Sequence, residues 1–413
     1  MSEGISRVFK NSLSLLVLQG GNYIVPFILT PYLIIVLGIE SFGLISFAIS
    51  VNIIFRAVVS YGFDFTGTKS IAENYNNTEN VSKLLSDILL SKLILACFCF
   101  ICLILLTSFV PVFSEEKGLF YLYFIIVLSD VFFPVWLYQG MQEMKVLTIS
   151  KLTGKFIYVS LTLAMVKEST DLLLIPLLEG VISIVVGLIS LAYGMHKFEL
   201  KFKLSTFTDL LFTIKAGWHV FFSRITSLMY TKFNIVLLGL LTNNTIVGFY
   251  SVAENIYMAI RMMVNPINQA LFPYLSTLRK ASYSKYAKKV RVFFIAYLMV
   301  LFLMFLSLYN FGNYILSFLL DYNSNETIDI LNVFSFCLLF SVGSFLSSVL
   351  IIEEKGRILS KVTLITLIAN SLIVYPSILH SGALGLAYCV LAVQVLHFIL
   401  QMYVNKKTLL NVE

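Results

Sequence analysis

The chain has 413 residues, 59% of them hydrophobic and 12% charged, with a mean hydropathy of +0.91. Soluble domains run at about 45–50% apolar and about 25% charged, so this composition excludes a soluble globular protein. The net charge of +7 sits mostly in short loops between apolar segments, which removes nucleic acid as its explanation and makes membrane lipids the expected surroundings.

Twelve apolar segments are predicted as transmembrane helices, at 11–37, 43–65, 86–110, 118–140, 148–166, 172–195, 214–241, 247–272, 291–310, 329–352, 358–379 and 382–404. Each meets the length of about 20 residues that a bilayer span needs. The first carries Gln19 and Asn22 and lacks a small-residue cleavage site, so it reads as a span rather than a signal peptide. With both termini placed in the cytoplasm, 22 of the 29 Lys and Arg residues fall in cytoplasmic segments and two, Lys117 and Lys167, in external loops. Basic loops stay cytoplasmic, which sets this orientation. The longest cytoplasmic linkers lie near 67–85, 196–213 and 273–290, and the basic stretch Lys280–Arg291 is a candidate for contact with anionic headgroups.

The loops also limit function. The largest external loop, 311–328, holds no Lys, Arg or His, which disfavours a membrane-embedded polymerase or ligase. Cys97, Cys99, Cys102, Cys337 and Cys389 all lie in apolar segments without metal-ligand spacing, so packing is their expected role. No catalytic motif or phosphate-binding glycine loop is present. A non-enzyme without a cofactor is expected.

The two halves resemble each other weakly. At an offset of 205 residues, Gly43, Ser46, Ala48 and Arg56 align with Gly248, Ser251, Ala253 and Arg261. Six-helix repeats at 1–200 and 201–413 would be related by a pseudo-two-fold axis along the membrane normal. A ligand site is then expected near the midplane, as in alternating-access transporters. Pro26, Pro31, Pro134, Pro176, Pro266 and Pro376 supply kinks.

The remaining five cations lie inside predicted spans. Charge at the bilayer centre costs roughly 2.5–3.5 kcal/mol per residue on insertion scales, so it marks a cavity or an ion pair. Arg56, Arg224 and Arg261 are central and Lys232 lies further out, whereas Lys92 is placed where it can snorkel to the cytoplasmic interface. Against them stand Asp130, Glu179 and Glu254, which are also the candidates for coupling to protons or sodium. Lys232 and Glu254 come to similar depth and are expected to pair, while Asp64 and Asp87 lie near the boundary. The excess of cations suits an anionic ligand, and Arg binds phosphate in bidentate fashion. Gln19 and Asn22 in the first span, and His219, Ser223, Thr226 and Tyr230 in the seventh, form polar stripes. Such stripes serve interhelical hydrogen bonds or a wet cavity.

Pro134, Trp136, Gln139, Gly140, Met144 and Lys145 form a P-x-W-x-x-Q-G-x-x-x-M-K run, and PYL…LG…FG spans Pro31–Gly43. Both resemble segments typical of polysaccharide repeat-unit (O-antigen) flippases, a branch of the superfamily that also holds multidrug extruders and lipid II flippases. The resemblance implies an all-α integral membrane protein of twelve helices in a V-shaped pair of six-helix bundles. It also implies a lipid-linked oligosaccharide substrate on undecaprenyl diphosphate, moved from the inner to the outer leaflet. A polysaccharide polymerase and a chain-length regulator are the partners such a function would have. On this reading Arg56, Arg224 and Arg261 hold the diphosphate, Lys232 lies on the outward route, and Gln19, Asn22, Ser223 and Tyr230 contact sugar. The rival is a small-molecule exporter on the same fold, which would want a net acidic cavity.

Overall fold

The computed structural model describes the backbone of residues 2–320 and 324–410, and side chains from residue 25 onward except at 26, 27, 319, 320, 407 and 410. The side chains of Gln19 and Asn22 therefore lie outside the described residues. Among the described residues all regular structure is helical.

The chain divides into two compact units, Met1–Ser41 with Ile45–Val236, and Phe42–Leu44 with Leu237–Glu413. The first is built from α1 (Ser2–Ser60), α2 (Phe63–Glu73), α3 (Thr78–Phe109), α4 (Pro111–Glu115), α5 (Lys117–Phe132), α6 (Val135–Gly140), α7 (Met144–Met165), α8 (Leu174–Lys197), α9 (Phe207–Met229) and the start of α10 (Lys232–Leu241). The second holds α11 (Asn244–Met262), α12 (Asn265–Ala281), α13 (Tyr283–Leu320), α14 (Asn325–Phe340), α15 (Gly343–Ile352), α16 (Gly356–Val404) and α17 (Lys406–Leu410).

Among the described residues, eight helical runs are long and apolar enough to cross a membrane. Two of them run through two predicted spans each: Gly356–Val404 contains 358–379 and 382–404, and Ile28–Glu73 contains the end of 11–37 and all of 43–65. A straight 49-residue helix would reach about 73 Å, more than twice the hydrocarbon core, and α16 does not run straight. Ser381 and Gly382 leave helical geometry, and the Cys389 thiol meets the Asn370 side chain at 3.8 Å. Nineteen residues of straight helix would hold them about 28 Å apart, so the chain doubles back at Gly382. In α1 the break is at Gly38, with φ +81°. The predicted spans 214–241 and 247–272 are each divided instead, at Tyr230–Thr231 and Met263–Val264.

Two predicted loops are shorter than expected. The 273–290 linker is almost wholly helical, with only Ser282 between α12 and α13. The predicted external loop from 311 is still α13 as far as Leu320. Of the 196–213 linker only 198–206 is non-helical, between α8 and α9, and the linker is strapped to α3. The Lys201 and Lys203 N–H groups donate to the hydroxyls of Ser82 and Ser86, and Lys83 pairs with Asp209 at 3.1 Å. Bonds of this kind satisfy backbone that would otherwise be orphaned.

Lipid tails are as apolar as leucine, so close packing and interhelical hydrogen bonds hold the bundle together. In the first unit Trp136 is fully buried among Phe63, Ile71, Val81, Leu85 and Leu191. The P-x-W-x-x-Q-G run is the seam between α2 and α6. A Cβ on Gly140 would lie 2.6 Å from the Ile71 side chain, and the Thr68 hydroxyl donates to the Gln139 amide oxygen at 3.1 Å. In the second unit Tyr286, Tyr297, Val342, Phe345 and Leu346 form the core, with Asn268, Tyr297 and Ser344 joined by hydrogen bonds.

Candidate substrate-binding cavity

Two helix breaks create the cavity in the first unit. The first lies between α1 and α2, where Tyr61 and Gly62 both take positive φ. Gly62 is required on two counts: its φ of +85° is left-handed, and a Cβ there would stand 2.7 Å from the Val220 side chain of α9. Around that contact Tyr61 stacks on Phe221 at 4.3 Å. One turn further along α9, Arg224 comes to 3.6 Å from Asp64. The second break separates α5 from α6 at Phe133–Pro134.

Between these breaks lies a cavity of about 220 Å³ lined by Ile53, Arg56, Ser60, Asp64, Lys92, Asp130, Phe133, Val135, Lys151 and Arg224. Four cations face two carboxylates, a formal surplus of two positive charges. Arg56 grips Asp130 with both arms, Nε to Oδ2 at 2.6 Å and an Nη to Oδ1 at 3.1 Å. Such forked pairs are among the stronger hydrogen bonds a protein makes. The Arg224–Asp64 contact is a single approach between partners 41% and 28% exposed, which puts it with weak surface pairs at about 0–1 kcal/mol.

With both arginines matched to carboxylates, the surplus rests on Lys92 and Lys151. Lys151 is half-buried in α7, its ammonium 5.1 Å from the centre of the Phe133 ring. Lys92 is 1% exposed and donates to the backbone carbonyl of Asp130 at 2.9 Å. The snorkelling expected of Lys92 does not occur: its ammonium is held inside the bundle by that carbonyl. Lys151, one of the 22 cations counted with the cytoplasmic segments, lines the cavity, carried there by α7, which begins at Met144. Asp64, read from its position as a boundary residue, is turned into the cavity by the Tyr61–Gly62 break.

The structure thus brings together Arg56, Arg224 and Asp130 of the expected site residues. Glu179 is half-buried on α8 and acts electrostatically on Arg56 and Lys155, but it does not line the cavity. Ser223 is exposed on α9, and Tyr230 caps that helix, with its phenol 3.4 Å from the Ser227 hydroxyl. Lys232 opens α10, half-buried. Arg261 and Glu254 belong to the second unit. Glu254 is buried in α11, and Arg261 ends that helix with its guanidinium 5.9 Å from the centre of the Tyr257 ring. The second unit has a cavity of about 390 Å³ lined in part by Tyr309, Asp329, Asn332, Phe336 and Tyr388, with no Lys or Arg in its wall among the described residues. The two cavities therefore differ in the sign of their lining charge. No group of three or more His, Cys, Asp or Glu able to hold a metal occurs among the described residues.

Residues 8–279 match the family described as polysaccharide biosynthesis protein. Two relatives, both named "Putative O-antigen transporter", are 28% identical to this chain. For the Escherichia coli (strain K12) protein the match spans 268 residues, 65% of either chain; for the Shigella dysenteriae protein it spans 398 residues, 94% of this chain and 97% of that one. This chain thus covers just under two thirds of the E. coli relative. Among solved structures, a multidrug resistance MATE family transporter of the MOP superfamily superposes with a TM-score of 0.73 at 13% identity over 94% of both chains. The lipid II flippase MurJ superposes with a TM-score of 0.72 at 15% identity, over 96% of this chain and 87% of that one. The chain therefore belongs to the polysaccharide biosynthesis protein family, as an all-helical, multi-pass membrane protein with the fold of the MOP-superfamily transporters.

Proposed function

We propose that this protein flips an undecaprenyl-diphosphate-linked oligosaccharide from the cytoplasmic to the outer leaflet of the bacterial inner membrane. The observation that carries the reading is the cavity's surplus of two cations, which matches the charge of a diphosphate diester. A cation exporter on the same fold would need the opposite sign. The names of the two O-antigen relatives point to the same substrate class.

In this proposal Arg56 and Arg224 exchange part of their carboxylate contact for phosphate, and Lys92 and Lys151 supply the net attraction. Arg261 also holds the diphosphate, and Lys232 lies on the outward route. Gln19, Asn22, Ser223 and Tyr230 contact sugar. The halves 1–200 and 201–413 alternate access with both termini in the cytoplasm. Protonation or sodium binding at Asp130, Glu179 or Glu254 couples the cycle, with Asp130 favoured because it alone of the three lines the cavity. A polymerase and a chain-length regulator act on the product.

Purified protein in liposomes tests this directly. A fluorescent polyprenyl-diphosphate oligosaccharide should reach the opposite leaflet faster than in protein-free vesicles, and Arg56→Ala should stop it. Equal rates with and without protein would reject the substrate. Efflux of small organic cations by the same vesicles would favour the exporter.

A further inference from the structure

Pro134 has no N–H. In an unbroken helix the N–H of residue 134 would donate to the carbonyl of residue 130, so a proline there orphans that carbonyl and its ring clashes with it. An orphaned carbonyl inside a bilayer is costly unless another donor reaches it. The Lys92 ammonium, coming from the neighbouring α3, sits 2.9 Å from the Asp130 carbonyl oxygen. The next residues carry the break: Phe133 is extended, and the Val135 N–H turns to the Phe133 carbonyl instead of continuing the helical ladder.

We propose that Lys92 is a positioning residue that replaces the backbone donor Pro134 removes, and so maintains the helix break that forms the cavity wall. Phe133 and Val135, on either side of Pro134, both line the cavity, and the carbonyl that Lys92 holds belongs to the residue whose carboxylate is clamped by Arg56. One buried ammonium therefore fixes the backbone of Asp130 while Arg56 fixes its side chain. The functional consequence rests on the anionic-substrate reading above; the pairing of Lys92 with Pro134 does not.

The test compares Lys92→Met, which has no donor, with Lys92→Gln, which keeps an uncharged N–H donor, each alone and combined with Pro134→Ala, which restores the backbone N–H. Thermal midpoints of the detergent-purified full chain are measured together with binding of a short-chain polyprenyl diphosphate. Lys92→Met should lower the midpoint and weaken binding about tenfold, the size of one lost charged hydrogen bond. Lys92→Gln should recover part of both. In the Pro134→Ala background Lys92→Met should leave the midpoint nearly unchanged, because the restored backbone N–H now serves the carbonyl. Equal loss of midpoint in both backgrounds, or Lys92→Gln behaving as Lys92→Met, would overturn the proposal by showing that Lys92 acts through charge alone. A Lys92→Met protein as stable as the wild type would also overturn it. If the stability coupling appears but no form binds the diphosphate, the pairing stands and the substrate reading fails.

Discussion

Replacing Lys151 with Gln should weaken the anion site without disturbing the fold. The residue is half-buried, its ammonium contacts the Phe133 ring, and it forms no carboxylate pair closer than 4 Å among the described residues. Removing it halves the cavity's surplus charge. At about 4 Å and an effective dielectric near 20, one unit charge against one phosphate charge is worth about 4 kcal/mol. Solvent reaching a partly exposed group, together with the hydration the ammonium loses on contact, reduces this to about 1–2 kcal/mol. Binding of a short-chain polyprenyl diphosphate should therefore weaken about 5- to 30-fold. Titration calorimetry of both proteins at low and high salt reads this out, and the gap should narrow with salt because the site opens to water. Equal affinities at low salt would refute the reasoning that surplus charge governs recognition.

Other outcomes follow from the same geometry. Arg56→Ala should abolish transport and weaken diphosphate binding while the protein still inserts, and adding Asp130→Ala should restore part of the binding by returning the surplus to two; a double variant that binds no better than the single would refute this charge count. Gly140→Ala places a Cβ 2.6 Å from Ile71 and should destabilise the first unit by about 1–3 kcal/mol, read as a lower thermal midpoint. Asp209 caps α9 outside the apolar spans, and the Thr206 hydroxyl, then the Thr206 N–H, then Lys83 hold its carboxyl below its ordinary value of 3.8. A depressed carboxyl stabilises the fold above its unfolded value and stops doing so as pH falls through the folded one. The midpoint difference between wild type and Asp209→Asn should thus be present near neutrality and vanish on acidification below 3.8; a difference independent of pH would contradict the cap.

Much of the fold is legible in hydropathy, since an apolar run has one low-cost conformation in lipid and that is a helix. Arg56, Asp130 and Arg224 stand out as charges at mid-span, and the structure gathers all three. The residues that sequence reading misplaces have two causes. Asp64 is redirected by the Tyr61–Gly62 break, whereas Lys92 and Lys151 lie on helices that begin before the predicted spans, α3 at Thr78 and α7 at Met144. Two signals of the helix breaks beside the cavity are present in the sequence. Tyr61–Gly62 ends an apolar run, and Pro134 stands four residues after Asp130, at the spacing that orphans a carbonyl. That spacing calls for a buried donor, the role Lys92 fills instead of snorkelling. Partner choice is less accessible: nothing local in the sequence says that Arg224 meets Asp64, because that depends on α9 packing against Gly62.

The most direct measurement is the leaflet in which the lipid-linked glycan accumulates when the gene is deleted from its host. A flippase predicts intermediate trapped on the cytoplasmic side, loss of surface polysaccharide, and restoration of both by the wild-type gene but not by Arg56→Ala. Normal surface polysaccharide with no trapped intermediate would contradict the proposed function.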